Sequence, residues 1–170
     1  MEKGFSIMLG LAVLSSCALL SEREQLSKNS KESLELIDFN MACQGNLYGA
    51  GEEGIYESNL VIQTEHAWRE LLSKMNSVNG IVLSSFTKGE SKRVNFDKNT
   101  VIACFDKIQN SGGHSIVIVD IEEGRDQLTV WTKKGFPSGI ATSVMTQPYY
   151  IVVIPATTKM VEFKSKNQSN

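Results

Sequence analysis

Four runs of branched and aromatic residues constrain this chain more than anything else in it. They are TVIACFD (100–106), HSIVIVDI (114–121), LTVWTKK (128–134) and YYIVVIP (149–155). Each is rich in side chains that suit a pleated surface, and each is bounded by turn-forming residues. LTVWTKK alternates, with Leu128, Val130 and Thr132 set against Thr129, Trp131 and Lys133. That period of two is the mark of a strand. HSIVIVDI is apolar at every position from Ile116 to Val119, which predicts a central strand covered on both faces. LIDFNMACQG (36–45), IYESNLVIQ (55–63), IVLSSF (81–86) and the weaker KMVEFKS (159–165) add further strand candidates.

One segment breaks the pattern. In TEHAWRELLSKM (64–75), Trp68, Leu71, Leu72 and Met75 recur at helical spacing, Thr64 suits an N-cap and Glu65 suits the first turn. His66 falls off the apolar stripe and is expected to be exposed. The expected fold is therefore α+β: a single, mainly antiparallel β-sheet packed against one amphipathic helix over about 64–75. A glycine-rich turn (45–54), the double glycine at 112–113 and a long loop (135–148) punctuate it.

The first twenty residues are of a different kind. MEK gives a short charged start, and the thirteen residues GFSIMLGLAVLSS are apolar or small. That length suits a secretory h-region and is too short to span a bilayer. It runs into LSSC (14–17), which resembles a bacterial lipobox, so residues 1–16 are expected to be a lipoprotein signal peptide and Cys17 the lipidated residue. Several acyl chains on one residue would anchor the chain durably. Residues 17–35 then read as a polar tether, 36–165 as the folded domain and 166–170 as a disordered tail. The expected location is the bacterial cell envelope, on the outer-membrane, periplasmic or surface face.

Composition excludes some functions. The net charge is −2 and the basic residues are scattered, with TKGESKR (87–93) the one richer block, so nucleic acid is not an expected partner. Cys43 and Cys104 remain after Cys17; they can form a disulfide in an exported protein, or pack as free thiols. Two histidines and these cysteines show no ligand-like spacing, which argues against a metal site, and no cofactor motif occurs.

QNSGGHSIVIVDIEE (109–123) poses the sharpest question. Its glycines precede a strand, not a helix, so a phosphate cradle lacks the helix dipole and the row of free N–H groups it needs. No Gly-x-Ser-x-Gly elbow is present. A Cys104–His114 pair would be the thiol-enzyme reading, but Cys104 sits in an apolar run where a thiolate is disfavoured. Gly112 and Gly113 most simply allow a positive φ or a close backbone approach, and His114 then caps the edge of the strand that follows.

Three stretches in order, VNFDKNTVIA, SGGHSIVIVDIEE and TQPYYIVVIP, resemble the PrcB family, in particular its C-terminal-type domain in bacterial lipoproteins. The matching positions are Asn95, Phe96 and Asp97, then Gly112, Gly113, His114 and Ile116, then Thr146, Pro148, Tyr149 and Val152, with Trp68 on the upstream helix. The resemblance covers about residues 55–163. It departs at NFD, where the family has an acid directly before phenylalanine, and at PSGIATS, where some relatives carry a cysteine. The resemblance implies a non-catalytic accessory role, stabilising or assembling another envelope protein such as a protease complex. If the adjoining strands are neighbours, the loop edge formed by 107–114 and 133–149 is the expected contact surface, with Phe136 and Ile140 as exposed apolar anchors; the alternative is that the loop folds back and buries both. Two other readings stand beside it: small-ligand or glycan binding through Trp131, Tyr149 and Tyr150, and thiol-dependent catalysis through Cys104, His114 or Cys43.

Overall fold

The computed structural model describes residues 34–79 and 94–166, and Leu34 onward forms one compact unit. The expected signal peptide, Cys17, most of the expected tether, the IVLSSF segment and residues 167–170 lie outside the described residues. Eight strands and one helix follow in order: β1 (Glu35–Leu36), β2 (Asn40–Leu47), β3 (Ser58–Ile62), α1 (Glu65–Asn79), β4 (Asn99–Phe105), β5 (Ser115–Glu123), β6 (Gln127–Gly135), β7 (Gln147–Pro155) and β8 (Met160–Ser165). Glu35, expected in the tether, already belongs to a strand.

The strands form two four-stranded sheets, not the single sheet expected. The inner sheet has the order β2-β7-β4-β3 and the outer sheet β1-β5-β6-β8. All pairings are antiparallel except β6 with β8, which run parallel. The physical reason for the second sheet lies in β4. Every residue from Thr100 to Asp106 is buried, so both faces of this strand need cover. Val101, Ala103 and Phe105 pack with Trp68, Leu71 and Met75 of α1, while Ile102 and Cys104 pack with Ile116, Ile118, Leu128 and Val130 of the outer sheet. β7 divides in the same way: Tyr149 and Ile151 face the helix, and Val152 and Ile154 face the outer sheet. The result is three layers, helix on sheet on sheet, with two apolar cores.

The central strand buried on both faces is therefore β4 and not β5. In β5, Ile116 and Ile118 point into the inter-sheet core, while Val117 and Val119 are only half-buried. Val119 is the extra residue of a bulge, because the register with β6 shifts between Ile118 and Asp120.

The helix forms as its sequence predicts and runs one turn further. Thr64 accepts the Ala67 N–H on its hydroxyl (3.2 Å), and its carbonyl accepts the Trp68 N–H (3.1 Å). Trp68, Leu71 and Met75 are buried, and His66 is exposed.

Register fixes which connections share an end of the domain. Leu47 pairs with Gln147, Ser58 and Tyr149 both pair with Phe105, and Ser115 pairs with Gly135. The β2–β3, β4–β5 and β6–β7 connections (48–57, 106–114 and 136–146) therefore gather at one end. The tight turns 124–126 and 156–159 lie at the other.

Candidate functional site

The three-loop end is held by a ladder of hydrogen bonds between 106–114 and 136–148. Gln109 and Thr146 exchange both backbone bonds, at 2.7 and 3.0 Å. The Gly112 N–H donates to the Thr142 carbonyl (3.0 Å), the Asp106 N–H donates to the Pro148 carbonyl (2.9 Å), and the Thr146 hydroxyl donates to the Ser111 carbonyl (2.9 Å). The two loops are thus neighbours, the condition on which the expected contact edge depended.

The double glycine serves this contact. A Cβ on Gly112 would lie 2.4 Å from the Thr142 hydroxyl oxygen. Gly113 has a φ of 84°, and a Cβ there would lie 2.9 Å from Pro137. One glycine permits close approach and the other a left-handed turn.

Beneath the loops sits a buried carboxylate that the sequence reading missed. Asp106 is 2% exposed, accepts the Gln109 side-chain N–H (2.8 Å) and pairs with Lys134 Nζ at 2.5 Å. Lys134 also reaches Glu57 at 2.6 Å, and the Gln147 side chain donates to the Asp106 carbonyl (2.9 Å). Partial burial pulls the Lys134 ammonium down, but Asp106 and Glu57 outweigh it and hold it above the ordinary lysine value. This cluster ties the 48–57 and 106–114 loops to the end of β6 and the start of β7, and so joins both sheets at one point. No spacing in the sequence relates residues 57, 106 and 134, because only sheet pairing brings them together.

The family-motif residues divide by role. Thr146, Pro148 and Tyr149 are buried, and Tyr149 faces the helix-side core. Burial raises the Tyr149 phenol, and the neighbouring Cys43 adds to the effect. Phe136 (63% exposed) and the fully exposed Ile140 instead stand in solvent, joined by Val144 and Met145, which the sequence reading did not single out. The 136–146 segment contains no charged residue. Tyr48 and Tyr56 are exposed in the neighbouring β2–β3 loop.

His114 sits immediately before β5, at the junction of the two loops. Its Nε2 lies 3.3 Å from the Ser111 hydroxyl oxygen, and its ring meets Phe136 edge-on at 5.9 Å between centroids. Its Nδ1 is buried and meets no hydrogen-bond partner.

Cys43 and Cys104 are free and buried. They point to opposite faces of the inner sheet, Cys43 towards α1 and Cys104 towards the outer sheet, from strands on either side of β7. Two strand spacings amount to about 9.5 Å, beyond the reach of about 7 Å for a disulfide. Burial pushes both thiols up to about 12; a hydrogen bond with Tyr149 opposes the shift at Cys43. Neither has the electropositive, open setting of a reactive cysteine. Among the described residues no group of three or more His, Cys, Asp or Glu side chains could hold a metal ion. No described helix is long and apolar enough to cross a membrane. Trp131, Tyr149 and Tyr150 do not form one patch: Tyr149 lies in the helix-side core, Tyr150 packs between the sheets, and Trp131 lies beneath Lys164 and Lys166 on the outer sheet.

The stretch from Thr100 to Pro155 matches the family described as PrcB C-terminal. This stretch is similar to a PrcB C-terminal domain, which is consistent with a domain of that family. The match runs from β4 to the end of β7, so it takes in two strands of each sheet and both loops of the ladder. Asn95, Phe96, Asp97 and Trp68, which the sequence resemblance also used, lie outside the matched stretch. Neither the curated proteins nor the solved structures contain a significant match to the chain. The stretch that matches is thus the two-sheet centre of this domain, and β1–β3, α1 and β8 lie outside it.

Proposed function

We propose that this protein is a lipid-anchored, non-catalytic accessory subunit of the bacterial envelope, and that it binds a partner protein through the three-loop end. The single observation that carries the reading is the uncharged 136–146 loop, which presents Phe136, Ile140, Val144 and Met145 to solvent while hydrogen bonds hold it against 106–114. Exposed apolar side chains on a held loop are what a contact surface requires. The PrcB C-terminal match agrees with a role beside a protease complex. Cys17 would supply the anchor.

A photo-activated cross-linking residue placed at Ile140 in the full chain, expressed in its native envelope, tests the surface. It should capture one envelope protein that the same residue at Arg69, on the exposed face of α1, does not. Equal capture from both positions, or none from Ile140, would sink the reading. Replacement of Cys17 by serine, followed by mass measurement of the mature N-terminus, tests the anchor separately; unmodified wild-type Cys17 would refute it.

A further inference from the structure

We propose that His114 is a proton-operated latch on the 136–146 loop, so that acidification loosens the surface to which the accessory reading assigns the partner. The inference rests on that reading for its biological meaning, but the latch itself is a property of the isolated chain.

The geometry is specific. His114 bridges the two loops at the point where Gly113 turns against Pro137, and its ring packs edge-on against Phe136. One ring nitrogen has the Ser111 hydroxyl oxygen at 3.3 Å, and the other is buried with no partner. A neutral imidazole fits this arrangement as the tautomer with its N–H on Nε2, for then the Ser111 hydroxyl oxygen accepts it and only a bare lone pair is left on the buried side. A protonated imidazole carries two N–H groups. The second would be buried without an acceptor, and a buried unmatched donor is far costlier than an unmatched lone pair on an aromatic ring. Relief comes when the ring swings to water, which gives up the contact with Phe136 and with it the seating of the loop.

Among the described residues of its own loop, the facing loop and the adjoining strands, the ring has no ion-pair partner. The 136–146 loop has no ionisable group, and the only one in 107–113 is Lys107, which is exposed. On β5 the next ionisable residue is Asp120, which is paired with Lys166. At the end of β6, Lys133 is exposed and Lys134 is committed to Asp106 and Glu57. On β4 and its exit, Asp106 faces Lys134 and Gln109. None of these described groups is free to receive the new proton's charge.

The test follows backbone amides of the full chain by NMR at pH 7.5 and pH 5.0, with exchange rates corrected for their intrinsic pH dependence. The Gly112 and Thr146 amides, which donate across the two loops, should lose protection on the order of tenfold at the lower pH. The Val101 and Ile151 amides in the inner sheet should not. His114→Phe keeps a ring against Phe136 and should abolish the change. His66→Gln removes the only other histidine and should leave it intact. Unchanged loop protection in the wild type would overturn the latch, as would a change that persists in His114→Phe. Should His114→Phe fail to fold, the His66→Gln chain still decides, because the loop shifts must then track the one remaining imidazole resonance. Cross-linking from Ile140 at pH 7.5 does not depend on the latch, so each idea can fail alone.

Discussion

The inner and outer sheets are made of the same kinds of residue yet live in different surroundings. The inner sheet is covered by α1 on one face and by the outer sheet on the other, and β4 is buried along its whole length. The outer sheet shares one face with the core, while its other face carries Lys133, Lys164 and a half-buried Trp131. The difference teaches that a continuous apolar run does not by itself report burial on both faces. TVIACF and SIVIV look equivalent in sequence, but only the first is enclosed.

The comparison breaks most severely where a side chain of the inner sheet is removed. Phe105→Ala, at a position 1% exposed against the helix, should cost about 3–5 kcal/mol in urea unfolding. Lys133→Gln on the solvent face of the outer sheet should stay within about 0.5 kcal/mol. Similar losses at the two positions would mean that the sheets are not layered as described.

Asp106→Ala should come next, because it acts where the two sheets are tied together. Removal of one partner of a buried pair is expensive, but Lys134 is 35% exposed and keeps Glu57, so about 2–3 kcal/mol is expected. Substitution of Glu57 by glutamine, at the exposed arm of the same cluster, should cost well under half of that. Gly113→Ala should cost about 1–2 kcal/mol through its left-handed backbone, and more if Pro137 cannot shift.

The smallest effect separates the two faces of the inner sheet. Both thiols remain protonated in the native state up to about 12, whereas the unfolded chain releases those protons from about 9. Their contribution is therefore fully present below pH 9 and is lost as pH rises from 9 towards 12. Replacing either cysteine by alanine should flatten that decline, while neither thiol should react with an aqueous thiol reagent at pH 8 until the protein unfolds. Rapid labelling of native Cys104 would show that the inter-sheet core is open.

Much of this fold was readable from periodicity. The capped helix, the strands and the double glycine before β5 all follow from local patterns that side-chain spacing records. The partition into two sheets was not readable, because pairing between β6 and β8, or between β2 and β7, joins residues far apart in the chain. For the same reason Phe136 and Ile140 could be named as candidate anchors, whereas the Asp106–Lys134–Glu57 cluster beneath them could not. An aspartate closing an apolar run looks like the start of a turn; only the fold shows that this one is buried. The match between Gly113 and Pro137 was equally hidden, since neither residue announces its neighbour.

The short strand β1 has a mechanical consequence. It meets β5 through two register pairs, Glu35 with Glu123 and Leu36 with Glu122, continued by the Ile37 N–H on the Ile121 carbonyl, at the end of the domain opposite the three loops. A load carried from the N-terminus to a partner at those loops would pass along strands about 30 Å long, judged from the nine residues of β7. Force in that direction loads every ladder in shear; the long inner ladders share it over many bonds, whereas β1 has only a few. The β1 contact would therefore release first, while the inner sheet stayed held.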